Sequence, residues 1–175
     1  MNAWKTAFAC LLVAAPVAVP AQDDILNKII NKAGSTAVHG ATAKSRHDEG
    51  VQGGKALRVD SPGKPNPWDI ALSTEIDKPV KAGDTLVLAF WARLEKGPDG
   101  ATTVSLPYNA VQLAAAPYTP VVKDAVTVGP TWELHQVTGK ADKDYAPGQI
   151  NATLHLAGAK QVVDIGPVFV LDMGQ

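Results

Sequence analysis

The sequence predicts an all-β fold, two antiparallel sheets packed as a jelly-roll sandwich, with room for one short N-terminal helix. Three observations lead there. Short apolar runs alternate with polar positions. All 15 glycines and 11 of the 13 prolines follow residue 21 and are scattered between those runs as punctuation. No long helical periodicity separates the runs, so the crossovers of a parallel sheet are missing.

Taken in order, Ile25, Leu26, Ile29 and Ile30 recur at helical spacing within Asp24–Lys32. Asp23 or Asp24 would cap that helix and Gly34 would end it, although a first strand is the alternative. A weak strand is expected around Thr36–Ala43. Lys55–Asp60 sets Leu57 and Val59 on one face and Arg58 on the other. Ser61–Pro67 is a loop, and Trp68–Ile76 alternates with Trp68, Ile70 and Leu72 together. Lys81–Asp84 turns into the apolar strand Thr85–Leu94. Further strands are expected at Thr102–Leu106, Ala110–Ala115, Ala125–Val128, Trp132–Gly139, Gln149–Ala157 and Gln161–Leu171.

Residues 1–21 read as a cleaved signal peptide. Lys5 is the only charge before residue 22, an apolar core of about 7–15 residues lies inside Ala7–Val19, and small residues surround a cut near Ala21. The expected location is secreted or periplasmic. An N-terminal segment, 22–50, then precedes the sandwich, 51–175. Cys10 is the only cysteine and leaves with the leader, so no disulfide, cysteine nucleophile or thiolate metal site is expected. Lys and Arg number 16 against 17 Asp and Glu, with no basic cluster, which argues against nucleic acid as a partner. Beyond the leader no run of about 18 apolar residues marks a membrane span.

The chain has no G-x-S-x-G elbow, Walker loop, H-E-x-x-H or GxGxxG motif, so no catalytic residue is assigned. His39, His47, His135 and His155 are far apart in sequence, and no metal ligand set is assigned.

Five segments come in a telling order: Gly53-Gly-Lys-Ala-Leu-Arg-Val59, Gly83-Asp-Thr-Leu-Val-Leu-Ala-Phe-Trp-Ala-Arg93, Thr131-Trp-Glu-Leu-His-Gln-Val137, Ala152-Thr-Leu-His-Leu156 and Val162-Val-Asp-Ile-Gly-Pro-Val168. In that order they resemble the carbohydrate-binding modules of the family 4/9/22 type, which are galactose-binding-like β-sandwiches. The resemblance covers about Gly50 to Leu171. It implies non-catalytic binding of a polysaccharide or oligosaccharide by a secreted module. The rivals are a small glycoside hydrolase or a xylanase- or glucanase-associated protein, and an envelope protein-interaction domain. In the family the closing strand helps hold a structural calcium ion. Here Asp164 is the only matching ligand, so no cofactor is assigned.

The resemblance also directs attention to sugar-contacting side chains. Trp68 follows Pro65-Asn66-Pro67, where a rigid loop would hold an indole for stacking, but strict alternation would bury it beside Ile70. Arg58, Gln112 and His155 each lie between apolar residues and would line the second surface of one sheet. Tyr118 in a proline-stiffened loop, His135 and Asn109 complete the candidates. The bland alternative is a solvated sheet face. Trp91 and Trp132 are expected in the core or at its rim. Asn151-Ala-Thr153 matches a glycosylation acceptor but reads as mid-strand, so no glycan is assigned there.

Overall fold

The computed structural model describes residues 22–32 and 34–175. The expected signal peptide and its cleavage point lie outside them.

A short helix, α1 (Gln22–Lys28), precedes ten strands. These are β1 (Ala37–His39), β2 (Ala43–His47), β3 (Lys55–Pro62), β4 (Ala71–Glu75), β5 (Thr85–Lys96), β6 (Val104–Leu113), β7 (Pro120–Val128), β8 (Glu133–Lys140), β9 (Ile150–His155) and β10 (Lys160–Asp172). They form two five-stranded sheets, ordered β1-β4-β9-β6-β7 and β2-β3-β10-β5-β8, with every neighbouring pair antiparallel. The all-β sandwich expected from the sequence is present.

Alternation builds the core. Leu86, Leu88 and Phe90 of β5 and Ile165 of β10 face Leu72 of β4, Val111 of β6 and Leu154 of β9, all fully buried. Their burial supplies the main driving force for joining the sheets.

The segment 22–50 contributes to both sheets. The expected strand around Thr36–Ala43 divides at Gly40, whose positive φ of 76° lets the chain pass from one sheet to the other. β1 then pairs with β4, and β2 with β3. Ahead of them, Ile29 bridges Leu171 and Asn31 bridges Ile76, one contact to each sheet. The Asn31 side chain accepts from the Val170 amide at 2.8 Å and donates to the Val168 carbonyl at 3.2 Å.

Several boundaries differ from expectation, the helix being Gln22–Lys28, β3 running on to Pro62 and β7 starting at Pro120, and two differences shape the site. Thr102–Leu106 and Ala110–Ala115 belong to one strand, β6, with a register shift between Leu106 and Asn109. The buried Asn109 amide donates to the carbonyls of Leu106 and Asp124, at 3.0 and 3.1 Å, satisfying backbone groups that the bulge frees. The second difference is at Trp68. The chain makes a 3₁₀ turn over Pro67–Asp69 before β4 begins, so Trp68 is out of phase with Ile70 and Leu72. The indole is 62 % exposed.

Candidate functional site

A cleft of about 900 Å³ lies on the outer surface of the β1-β4-β9-β6-β7 sheet. Its floor is the outward half of each strand's alternation. Ala71 and Ser73 alternate with buried Leu72 and Thr74, while Asn151, Thr153 and His155 alternate with buried Ala152 and Leu154. Gln112 stands opposite Asn151, Thr153 opposite Ser73, and His155 opposite Ala71, so three cross-strand rows cover the floor. Among the described residues, no Asp, Glu, Lys or Arg lines the cleft.

Aromatic groups stand at two places along it. At one, Trp68 projects from the 3₁₀ turn, which is pinned by Asp69 N–H to the Asn66 carbonyl at 3.1 Å and Ala157 N–H to the Pro67 carbonyl at 3.2 Å. Its indole meets His155 edge-on, with centroids 6.4 Å apart and planes at 65°. Tyr108 stacks on the same imidazole at 4.3 Å and 17°. The Tyr108 hydroxyl donates to Gln112 Oε1 at 2.9 Å, which leaves the Gln112 Nε2 hydrogens for other partners. At the other place, Pro117 and Tyr118 line the cleft from the β6–β7 loop. Tyr118 has a positive φ of 56° and a 54 % exposed side chain. A non-glycine residue held in that conformation at a cleft rim is the kind of backbone strain found at binding sites.

Burial pushes the His155 imidazole below the ordinary histidine range and the Tyr108 phenol above its ordinary range. Both groups are therefore uncharged at neutral pH. The Asn151 Oδ1 atom is buried and has no hydrogen-bond partner among the described residues. His39 and Ser73 join through Nε2 and Oγ at 2.9 Å.

Of the candidates taken from the sequence, Trp68, Gln112, Tyr118 and His155 meet in this cleft. Arg58 and His135 do not. Arg58 lies on β3 in the other sheet, because pointing away from the core is not the same as pointing to the same surface. Its guanidinium donates to Asp164 Oδ1 at 2.7 Å and Oδ2 at 2.9 Å. Arg93 and Arg46 reach the same carboxylate at 3.0 and 3.3 Å. Asp164 is fully buried and surrounded by three guanidinium groups, so it is not a ligand that fits calcium. His135 lies on β8 of that second sheet, against the core residue Phe90 at 5.5 Å between ring centroids. Asn109 serves the β6 bulge. Among the described residues, no group of three or more His, Cys, Asp or Glu is placed to hold a metal ion.

Trp132 is another correction to the core expectation. It is half-buried on the outer surface of the second sheet, with the Arg93 guanidinium 5.1 Å above its ring. Neighbouring Trp91 donates to Gln52 Oε1 at 3.1 Å on the same side.

The sequence reading missed Tyr108, Ser73, Asn151, Thr153 and His39. Ser73, Asn151 and Thr153 carried a usable signal, since each is two or four residues from a floor residue on its own strand. Tyr108 carried none, because Pro107-Tyr108-Asn109 reads as a break.

No protein-family model and no curated protein sequence matches the chain. Solved structures do. The second N-terminal cellulose-binding domain of Cellulomonas fimi β-1,4-glucanase C aligns over 85% of this chain and 92% of its own, with a TM-score of 0.62 at 18% identity. A family 4 carbohydrate-binding module aligns over 79% of this chain and 94% of its own, with a TM-score of 0.61 at 14% identity. The family 22 xylan-binding domain from Paenibacillus barcinonensis Xyn10C aligns over 81% and 87%, with a TM-score of 0.54 at 14% identity. The chain has the fold of these carbohydrate-binding modules. The likeness extends along most of both partners in each pair, so the sandwich as a whole is shared rather than one sheet of it. Among the described residues no helix is long and apolar enough to cross a membrane.

Proposed function

We propose that this protein binds a neutral polysaccharide in the cleft, without catalysis, after export and removal of a leader near Ala21. The observation that carries the reading is the composition of the cleft: an exposed indole above a floor of amide, hydroxyl and imidazole groups, with no Asp, Glu, Lys or Arg among the described residues lining it. A sugar ring has an apolar C–H face that a flat indole covers, and hydroxyls at its edge that Gln112, Thr153, Ser73 and Asn151 reach from the floor. Two of the similar structures are named as cellulose- and xylan-binding, and β-linked chains of that uncharged kind suit such a surface.

The same composition weighs against the hydrolase alternative. Glycoside hydrolysis in most families uses a pair of carboxylates flanking the bond, and among the described residues no Asp or Glu lines this cleft. A glycan array probed with the purified protein, with and without calcium, tests the proposal. Retention on neutral glucans or xylans without release of product is the expected result. Capture of none of them, or turnover, would overturn it.

A further inference from the structure

Among the cleft residues His155 is held most closely by other rings. Tyr108 stacks on one side at 4.3 Å, and Trp68 stands edge-on at 6.4 Å. We propose that His155 makes ligand binding in this cleft proton-linked, the uncharged imidazole admitting a neutral glycan and the imidazolium excluding it. This rests on the reading of the cleft as a glycan site.

The argument is one of solvation. A glycan laid on Trp68 displaces water from the open side of His155. A neutral imidazole exchanges a hydrogen bond to water for one to a sugar hydroxyl. An imidazolium loses the hydration of a charge and needs a counter-charge, and among the described residues no carboxylate lines the cleft. Burial already disfavours the charged form before any ligand arrives.

The groups on the elements packed around β9 do not supply that counter-charge. Tyr108 on β6 is a phenol that burial keeps protonated. Asp69, on the 3₁₀ turn, receives the Asn66 amide at 3.4 Å. Glu75 of β4 stands opposite Asn151 at the other end of β9 and pairs with Lys32 at 3.1 Å. His39 on β1 is exposed and linked to Ser73 Oγ at 2.9 Å, and an imidazole offers no negative charge.

The sign follows. The complex holds fewer protons at His155 than the free protein, so binding releases protons and weakens as pH falls through the free-state pKa. Each unit by which the glycan lowers the His155 pKa gives about tenfold weaker binding at acid pH.

Calorimetric titration of the intact protein with a soluble neutral β-glucan and a neutral xylo-oligosaccharide, from about pH 7.5 down to about pH 4.5, tests this. The expected result is a progressive loss of affinity toward acid pH, a flat profile in His155→Gln, and proton release detectable by comparing buffers. An NMR titration of the unaltered protein gives a readout independent of the substitution: the His155 midpoint should move lower when the glycan is bound. A flat profile in the unaltered protein overturns the proposal while leaving glycan binding intact. So does an unmoved midpoint, or an acid loss that disappears in His39→Gln and persists in His155→Gln. If the folded protein binds neither glycan at any pH, the function and the switch fail together.

Discussion

A Cβ at Gly40 would overlap the carbonyl oxygen of Asp69, so the crossing between β1 and β2 and the turn that carries Trp68 are packed backbone to backbone. Gly40 also has a positive φ of 76°. Gly40→Ala is therefore expected to act twice. It should cost more than about 1 kcal/mol of stability, and it should shift the Pro67–Asp69 turn away from His155. Denaturant unfolding reads the first effect, and glycan affinity of the folded variant reads the second. An alanine variant as stable as the parent would mean that the crossing has room to relax.

Trp68→Ala separates binding from folding. The indole is 62 % exposed, so its removal should shift the melting temperature little. If it is the stacking platform, affinity for a neutral glycan should fall by about 2 kcal/mol, roughly thirtyfold. Calorimetry and a thermal melt on the same sample check both. Unchanged affinity would move the sugar away from this end of the cleft.

Asp164 should behave in the opposite way. Its side chain is wholly inaccessible, and Arg46, Arg58 and Arg93 converge on it. Asp164→Asn removes the charge that three guanidinium groups share, at an expected cost of about 3 kcal/mol or more. Arg58→Ala should cost less, since two arginines remain. Neither variant should alter glycan affinity, because the network lies on the second sheet. Loss of affinity in a folded Arg58→Ala protein would restore Arg58 as a contact residue.

Stability should fall with acid in two ranges. Burial pushes the His135 imidazole below the ordinary range, with Glu133 opposing that shift. The unfolded chain then takes up that proton first, so the contribution of His135 is complete above about pH 6.5 and is lost as pH drops toward the folded value. Burial pushes the Asp164 carboxyl up, but the hydrogen bonds from Arg58 and Arg93 outweigh it and hold the pKa below the ordinary range. Its contribution is present above about pH 3.9 and is lost as pH falls through the lower folded value. Urea titrations across both ranges should show the two losses, and His135→Gln should reduce the first, leaving the share of His155, whose imidazole burial also lowers. A first loss undiminished in His135→Gln and removed in His155→Gln would assign it to His155 alone.

Trp132→Ala is expected to lower stability by about 1 kcal/mol through loss of the Arg93 contact, with further loss from its half-buried packing. It should leave the cleft untouched, because Trp132 precedes β8 of the second sheet. A melt and a glycan titration distinguish this from a binding role.

Alternation along an extended chain is a local property, and it made the faces of the strands legible from the amino acids alone. Gln112 between Val111 and Leu113, and His155 between Leu154 and Leu156, had to point away from the core wherever their strands lay. The all-β class followed in the same way, from short alternating runs and the turn residues between them. Sheet membership is not local. Arg58 also points away from the core, yet β3 pairs with β10 while β6 and β9 pair with each other, so Arg58 and Gln112 face opposite surfaces of the sandwich. Two breaks of period mattered as much. The 3₁₀ turn at Pro67 resets the phase and turns Trp68 toward solvent. The shifted register in β6 leaves Pro107 and Tyr108 both lining the cleft, which no count of two could reveal. Local pattern thus determined which side chains leave the core, while pairing between distant strands decided which of them meet. That pairing depends on long-range burial and hydrogen bonding, which spacing along the chain does not encode.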